Sequence, residues 1–191
     1  AIRGPFALCE GSQVKMNAKI YGPTTIGPYS KVGGEINNSV IFGYSNKAHD
    51  GFLGNSVIGE WCNLGADTNT SNLKNNYAQV KMWDYVKKGM VNSGMQFCGL
   101  IMGDHSKCGI NTMFNTGTVV GVSANIFGAG FPRNYIPSFS WGGAGGFITY
   151  QVAKAMEVAE IVFQRRNRTL DQTEKDILTE IFNITAENRP K

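Results

Sequence analysis

The stretch VKMNAKIYGPTTIGPYSKV, residues 14–32, decides the fold because branched apolar residues recur in it at every sixth position. The series consists of Val14, Ile20, Ile26 and Val32. A period of six fits neither an α-helix, with about 3.6 residues per turn, nor a strand that alternates between two faces. It is typical of a chain that makes a short strand, a corner and another short strand around a prism.

Two further runs repeat this spacing in a shifted register. One consists of Val40, Asn46, Phe52, Ile58 and Leu64, and the other of Met102, Cys108, Phe114, Val120 and Ile126. Glycine often follows the apolar residue, and a small residue stands four positions after it, where a bulky side chain would clash at a corner. We therefore predict that the repeating residues fill the interior of the prism.

These repeats predict an all-β fold with terminal helices: a single-stranded left-handed parallel β-helix, the handedness found in families with this hexapeptide signature. We place the β-helix at residues 1–132 and a C-terminal loop with two helices at 133–191. Residues 71–97 lose the repeat, so we expect an inserted loop that reaches over a neighbouring surface. Within that loop, Trp83 and Tyr85 are expected to pack the loop down.

The C-terminal segment carries the pattern of two amphipathic helices. Four apolar residues share one face of the first helix: Val152, Met156, Ala159 and Phe163. The second helix is predicted to begin near Leu170, with Asp171 and Glu174 placed as a capping box. We expect the two helices to cover the open end of the β-helix, where strand edges would otherwise remain unpaired.

The composition is that of an ordinary folded protein, with 42% hydrophobic and 17% charged residues and a net charge of +4. Basic residues are scattered except for QRRNR at 164–168, which we expect to complement the end of a helix and stay solvated. Nucleic acid is therefore not a predicted partner. Arg133 is interpreted as an exposed loop residue, although it could meet a CoA phosphate.

The four cysteines, Cys9, Cys62, Cys98 and Cys108, have neither CxxC spacing nor nearby histidine pairs. We therefore predict reduced thiols in a cytoplasmic protein, without a zinc site or a disulfide framework. No apolar run approaches the roughly 20 residues that span a bilayer, so no membrane partner is predicted.

The segment EINNSVIFGYSNKAHDGFLGNSVIGEWCNLGADTNTSNL, residues 35–73, carries a more specific pattern. A Lys–Ala pair precedes a histidine, and an aromatic–Leu–Gly, an Ile–Gly, an Asn–aliphatic–Gly–Ala and a later Asn follow in order. These features stand at Lys47–His49, Phe52–Gly54, Ile58–Gly59, Asn63–Ala66 and Asn72. The segment resembles the C-terminal acetyltransferase domain of the bifunctional enzymes that acetylate glucosamine-1-phosphate and then uridylylate it, and of related sugar-1-phosphate nucleotidyltransferases.

This resemblance implies acetyl transfer from acetyl-CoA to an amino-sugar 1-phosphate, in nucleotide-sugar biosynthesis, within a longer nucleotidyltransferase-like protein. His49 matches the family's catalytic base. The positions matching substrate contacts are Asn37, Phe52, Asn63 and Asn72, and those matching CoA contacts are Ala66, whose backbone lies against the thioester, Ile110 and Ala129. The family works as a homotrimer with each site between neighbouring β-helices, and acetyl transfer needs no metal.

The sequence departs from the family at three positions. A phosphate-binding lysine is replaced by Asn37, and two tyrosines are replaced by Phe52 and Leu73. These departures keep an alternative open, in which the chain is a non-catalytic trimerisation or regulatory domain of a sugar-1-phosphate nucleotidyltransferase. A third hypothesis is an acyltransferase of this fold with another acceptor.

The candidate residues also have structural interpretations. A histidine with a reference pKa of about 6.5 suits general-base catalysis, but a lone histidine at a corner such as His49 is often a solvated polar residue. Asn63 and Asn72 could equally belong to side-chain ladders or turns. The second histidine, His105, is interpreted as an exposed turn residue.

Overall fold

The computed structural model describes residues 1–189, in which short strands stack into a parallel β-solenoid with three faces. The first four coils contain β1 (Ile2–Arg3), β2 (Phe6–Leu8), β3 (Gln13–Val14), β4 (Lys19–Tyr21), β5 (Thr24–Ile26), β6 (Lys31–Val32), β7 (Glu35–Asn37), β8 (Val40–Ile41), β9 (Asn46–Lys47), β10 (Phe52–Gly54), β11 (Val57–Ile58) and β12 (Asn63–Leu64). The later strands are β13 (Asn69–Thr70), β14 (Lys81–Asp84), β15 (Gly89–Asn92), β16 (Ile101–Met102), β17 (Lys107–Cys108), β18 (Met113–Phe114), β19 (Val119–Val120), β20 (Asn125–Ile126), β21 (Tyr135–Ile136), β22 (Ser140–Gly143) and β23 (Gly146–Thr149).

Each face collects one strand from each coil. The first face holds β1, β4, β7 and β10, and then the pair β13 and β18; the second holds β2, β5, β8, β11, β16, β19 and β21; the third holds β3, β6, β9, β12, β17, β20 and β22. We call the turn from the first to the second face the first corner, the turn from the second to the third the second corner, and the turn from the third face to the next coil the third corner. The predicted left-handed parallel β-helix with C-terminal helices is confirmed.

The interior is the predicted ladder of apolar side chains. Ile20, Ile26 and Val32 of the first run are at most 1% exposed, and Phe114, Val120 and Ile126 of the third run are at most 2% exposed. Burying a side chain of this size stabilises a fold by about 1.5–3 kcal/mol, so the ladder is the main source of stability along the solenoid.

The register of the second run is wrong at three positions. Val40, Asn46 and Phe52 face outward, and the side chains that enter the interior belong to the residues that follow them: Ile41, Lys47 and Leu53. The cause is the first corner, which is one residue shorter after β7 and β10 than after β4, where Ile20 and Ile26 are six residues apart. After β7 and β10, the next interior position comes five residues later instead of six.

The second corner carries a column of large side chains in the left-handed backbone region. Tyr29, Tyr44 and Trp61 have φ between 56° and 58°, a conformation that bulky residues rarely adopt. Their rings stack along the solenoid, with centroids 5.2 Å apart for Tyr29 and Tyr44 and 4.1 Å apart for Tyr44 and Trp61. Ring stacking and burial offset the backbone strain.

The two helices pack against this column. Helix α1 spans Val152–Gln164, α2 spans Gln172–Ile184, and a short 3₁₀ turn spans Ala186–Asn188. The ring of Phe163 stacks on Trp61 with centroids 3.9 Å apart, and Phe182 meets Phe139 edge-on at 5.0 Å. The predicted cap is present, since the Asp171 carboxylate accepts a hydrogen bond from the Glu174 N–H at 2.9 Å.

The expectation that the helices cover the open end is wrong. They lie along the side of the solenoid, because the aromatic column offers an apolar surface there. The last strand of the third face is paired instead by β23, which runs antiparallel to β22. Parallel pairing also continues past residue 132, since β21 and β22 extend the second and third faces.

The inserted segment at 71–97 contains an antiparallel hairpin, β14 with β15. It lies over the second face of its own chain, where Trp83 stacks on Tyr135 at 3.9 Å and Tyr85 meets the same ring edge-on at 5.9 Å. These aromatic residues pack the loop down, as expected. Within residues 1–189, no helix is long and apolar enough to cross a membrane.

Candidate functional site

His49 lies at the third corner, between β9 and β10, with its side chain exposed to solvent. The corner beneath it is held from inside the solenoid by Lys47, which is 1% exposed. The Lys47 ammonium donates hydrogen bonds to the carbonyl oxygens of His49, at 2.5 Å, and Asp50, at 3.0 Å. The backbone that directly follows the His49 Cα is therefore tied to a buried cation.

Burial lowers the pKa of Lys47 to about 8, because its ammonium exchanges water for the interior. The nearby charge of Asp50 opposes this shift. Sequence reasoning missed Lys47, because its ladder position is one where an apolar residue is expected. The available signal was the Lys–Ala pair, which puts a charged residue directly before the corner.

Strand register aligns several of the candidate residues along the third corner. Asn63 pairs with Asn46, so Ala66 occupies on its coil the position of His49 on the coil before. Lys107 pairs with Asn63, so Ile110 occupies the same position one coil later. The column is bonded through the backbone, since the N–H of the residue after Ile110 donates to the Ala66 carbonyl at 2.8 Å.

Ala129 lies near the end of the same column. Asn125 pairs with Lys107, which makes Gly128 the residue equivalent to Ile110 on the following coil, and Ala129 is its neighbour. Ile110 is 69% exposed and Ala129 is exposed as well. The three predicted CoA-contacting residues and His49 thus share one edge of the solenoid.

The remaining candidate residues lie elsewhere in the same chain. Asn37 and Phe52 are on the first face, where the Asn37 amide donates to the Tyr21 carbonyl at 3.3 Å. Asn63 is on the third face, where it accepts a long hydrogen bond of 3.5 Å from Asn46. Within one chain, these side chains do not converge on His49.

Asn72 belongs to an asparagine ladder at the first corner. Its amide nitrogen donates to Oδ1 of Asn55 at 2.7 Å, one coil before. Within this chain, Asn72 therefore belongs to a side-chain ladder, which is the structural role that the sequence left open for it.

The first face beside His49 carries an acidic cavity of about 320 Å³. Its lining includes the carboxylates of Glu35, Asp50 and Asp67, together with the ring of Phe52. The lysine in the lining, Lys19, lies 4.0 Å from the Glu35 carboxylate. The negative charge of this cavity disfavours the binding of a phosphate group there by residues of this chain alone.

His105 is buried, and its interpretation as an exposed turn residue is wrong. It is 7% exposed and continues the second-corner column, with its ring 6.0 Å from that of Phe163. Burial, and then the charge of Lys107, lower the pKa of His105 to about 4. Its position under α1 keeps it away from the third corner, so its role is structural.

The QRRNR segment binds the solenoid instead of capping its helix. The Arg166 guanidinium donates to the Tyr29 carbonyl at 3.1 Å and to Oδ1 of Asn46 at 3.2 Å. Arg168 donates to the Tyr44 hydroxyl at 2.5 Å and lies over its ring. Arg165 and Arg168 nevertheless stay exposed, as expected, and only Arg166 is partly buried by its contacts.

Comparison with known proteins agrees with the sequence pattern. No protein-family model matches the chain. It is 36% identical over 93 residues to a bifunctional sugar-1-phosphate nucleotidylyltransferase/acetyltransferase of Sulfurisphaera tokodaii, covering 49% of this chain and 23% of the relative. It is 38% identical over 87 residues to the bifunctional protein GlmU of Methanocaldococcus jannaschii, covering 46% and 21%.

The longest of these matches is to the bifunctional protein GlmU of Methanococcus vannielii, with 32% identity over 129 residues, 68% of this chain and 28% of the relative. The chain therefore spans about a quarter of the length of the curated relatives it matches.

Among solved structures, LpxA from Acinetobacter baumannii has a TM-score of 0.36 and 12% identity, covering 83% of this chain and 77% of LpxA. A hexapeptide-repeat acetyltransferase of Vibrio cholerae, complexed with acetyl coenzyme A, has a TM-score of 0.27 and 12% identity, covering 74% and 70%. At these values the likeness carries no functional argument. The sequence matches do: over about half of its length, the chain resembles bifunctional sugar-1-phosphate nucleotidyltransferase/acetyltransferases of the GlmU type.

Proposed function

We propose that this chain is an acetyl-CoA-dependent N-acetyltransferase domain that acts on an amino-sugar 1-phosphate in nucleotide-sugar biosynthesis, within a longer nucleotidyltransferase-like protein. The observation that carries the proposal is the shared edge of His49, Ala66 and Ile110 on successive coils. An extended thioester cofactor lying along the third corner would bring its acetyl group next to His49. The names of the matched relatives, which include acetyltransferase activity, support the same assignment.

In this proposal, His49 acts as the general base. Acetyl transfer requires a neutral amine, whose nitrogen attacks the thioester carbonyl, and a group that takes the proton released from that nitrogen. The exposed His49 imidazole takes this proton, the thioester carbon–sulfur bond breaks, and the proton passes from His49 to the departing sulfur, so that CoA leaves as the thiol. We assign stabilisation of the oxyanion to backbone N–H groups at the Ala66 corner, which need no reorganisation during the reaction.

The holding of the His49 backbone by Lys47 fits this role. A general base must stay within hydrogen-bond distance of the substrate nitrogen, so a fixed backbone lowers the cost of orienting the imidazole. The two hydrogen bonds from the Lys47 ammonium tie down the carbonyl oxygens of His49 and Asp50. Lys47 is thus a positioning residue in this proposal, and it does not contact the substrate.

A homotrimer would complete the site. Asn37 and Phe52 lie on the first face and Asn63 lies on the third, so one chain alone does not surround a substrate with all of them. In the proposed trimer, side chains of a neighbouring β-helix face the third corner and supply the missing contacts. Asn37, Phe52, Asn63 and Asn72 remain proposed substrate contacts, and Ala66, Ile110 and Ala129 remain proposed CoA contacts.

The proposal is tested by measuring CoA release from acetyl-CoA with glucosamine-1-phosphate and galactosamine-1-phosphate as acceptors. Release that depends on one of these acceptors is the expected result. Release with neither amino sugar, at millimolar acceptor and with a folded trimeric protein, would contradict the proposal.

A second candidate function is non-catalytic trimerisation or regulation of a nucleotidyltransferase. Two observations favour it: the first-face cavity beside His49 is acidic, and the amide of Asn37 is bonded to its own chain. Sedimentation analysis separates the two candidates when it is combined with the assay. A stable trimer without acetyl transfer supports the second, whereas acceptor-dependent CoA release supports the first.

A further inference from the structure

A cavity of about 490 Å³ lies between the third face and the C-terminal end of α1. Its floor is formed by residues at equivalent positions of successive coils, Lys31, Asn46, Asn63 and Lys107. Its far side is formed by the arginine pair that follows α1, at 165–166. The cavity is open to solvent and is large enough for a phosphorylated small molecule.

The charge of this cavity is entirely positive. Lys31, Lys107, Arg165 and Arg166 line it, and no carboxylate does. None of these four cations takes part in the ion pairs formed within residues 1–189. Grouped cations without counter-charges raise one another's energy, and an anion that enters between them relieves this repulsion.

Two of the four cations, Arg166 and Lys107, are also fixed in place. The Arg166 guanidinium is held by the Tyr29 carbonyl and by Oδ1 of Asn46, at 3.1 and 3.2 Å. The Lys107 ammonium is held by the His105 carbonyl at 2.9 Å. Fixed guanidinium and ammonium donors are the groups that bind phosphate oxygens with little loss of side-chain entropy.

Lys107 gives a second indication of an anion-binding site. Burial lowers the pKa of Lys107, because its charged form has lost water without gaining a carboxylate. An isolated charge in such a position costs stability unless an anion compensates it. The acidic first-face cavity beside His49 has the opposite character, so an anionic ligand is directed to the third face.

We propose that this cavity is a binding site for the phosphate or diphosphate group of a small ligand. The site goes beyond acetyl transfer, because none of its cations belongs to the proposed catalytic edge; it shares only Asn63 with the proposed substrate contacts.

The test is isothermal titration of the 191-residue protein at low salt with orthophosphate, pyrophosphate and uridine diphosphate. We expect saturable binding of at least one diphosphate, weakened at least about tenfold in Lys31→Gln and in Lys107→Gln, since each variant removes a charged donor. Uridine diphosphate binding more tightly than pyrophosphate identifies a nucleotide, and equal affinities identify the inorganic group.

Two matched variants control for general charge effects and for the proposed acetyltransferase site. Lys15→Gln removes an exposed lysine just past the third face, outside the cavity, and should bind like the unmodified protein. His49→Ala should also bind normally, which separates this site from the catalytic proposal.

The proposal is overturned by an absence of saturable binding of all three anions, or by equal weakening in Lys15→Gln and Lys31→Gln. Circular dichroism checks that each variant is folded. If Lys107→Gln does not fold, the binding affinity of Lys31→Gln alone decides the test.

Discussion

The ammonium of Lys47 lies inside the solenoid and donates a hydrogen bond of 2.5 Å to the carbonyl oxygen of His49, whose side chain points into solvent. One residue of the interior ladder is therefore a cation, and it is bonded to the corner that carries the candidate base. This relationship joins the stability of the coil to the proposed chemistry, and each can be measured separately.

Replacing Lys47 with methionine should change how stability depends on pH. The folded pKa of about 8 lies below the ordinary value of 10.5, so between these values the unfolded chain binds more protons and stability rises with pH. The free energy of unfolding should rise by about 2 kcal/mol over this range. This is less than the full pKa shift implies, because solvent at the corner screens part of the charge. Lys47→Met should lose this rise, as measured by urea unfolding at pH 7 to 10.5. If the unfolding free energies of the two proteins change in parallel with pH, the burial of a charged Lys47 is contradicted.

The corrected register predicts unequal effects for two adjacent residues. Leu53 is fully buried, so Leu53→Ala should lower the free energy of unfolding by about 2–5 kcal/mol. Phe52 faces outward and is only partly buried, so Phe52→Ala should cost about 1 kcal/mol or less. Urea unfolding of both variants measures the difference. A larger loss of unfolding free energy for Phe52→Ala than for Leu53→Ala would show that Phe52 faces the interior, as the sequence predicted.

Docking of the helices should depend on Phe163. Its ring stacks on Trp61 and is 4% exposed, so Phe163→Ala should destabilise the protein by about 3 kcal/mol. Hydrogen exchange of α1 and α2 should accelerate more than that of the solenoid, because the helices lose their main contact. Ile161→Ala is the matched control, since Ile161 is on the same helix and 57% exposed. Equal effects of the two substitutions would argue against docking on the aromatic column.

His105 should stay neutral until the solution is strongly acidic. Its folded pKa of about 4 lies below the ordinary 6.5, so its contribution to stability is fully present above pH 6.5 and is lost as the pH falls towards 4. The difference corresponds to about 3 kcal/mol. The chain has two histidines, and imidazole NMR signals assigned with His49→Ala give the His105 titration directly. A His105 midpoint near 6.5 would show that its ring is hydrated.

The sequence predicted the solenoid because Ile20, Ile26 and Val32 are spaced by the geometry of the prism itself. It misplaced part of the ladder because the first corner is one residue shorter after β7, so that Ile41 comes five residues after Ile36 where Ile26 comes six after Ile20. Lys47 was missed for a related reason. A period search expects an apolar side chain at each interior position, and it does not anticipate an ammonium that reaches carbonyl groups at the corner.

The docking of the helices was not predictable from periodicity alone. Tyr29, Tyr44 and Trp61 are one coil apart in sequence, but large residues rarely adopt a positive φ, so they were not assigned to a corner. The candidate site shows the same limit. The motif indicated His49, Ala66 and Ile110, and strand register was needed to place them on one edge, whereas the contacts that the proposed trimer would add leave no signal in the spacing.

The most direct test of His49 as the base is CoA release by His49→Ala compared with Met16→Ala. Met16 occupies the equivalent third-corner position two coils earlier, and it is 93% exposed. We expect His49→Ala to lower kcat by about 10²–10⁴, the range typical of a general base, with an unchanged melting temperature, while Met16→Ala keeps full activity. Equal activity of His49→Ala and Met16→Ala would contradict the assignment of His49 as the base.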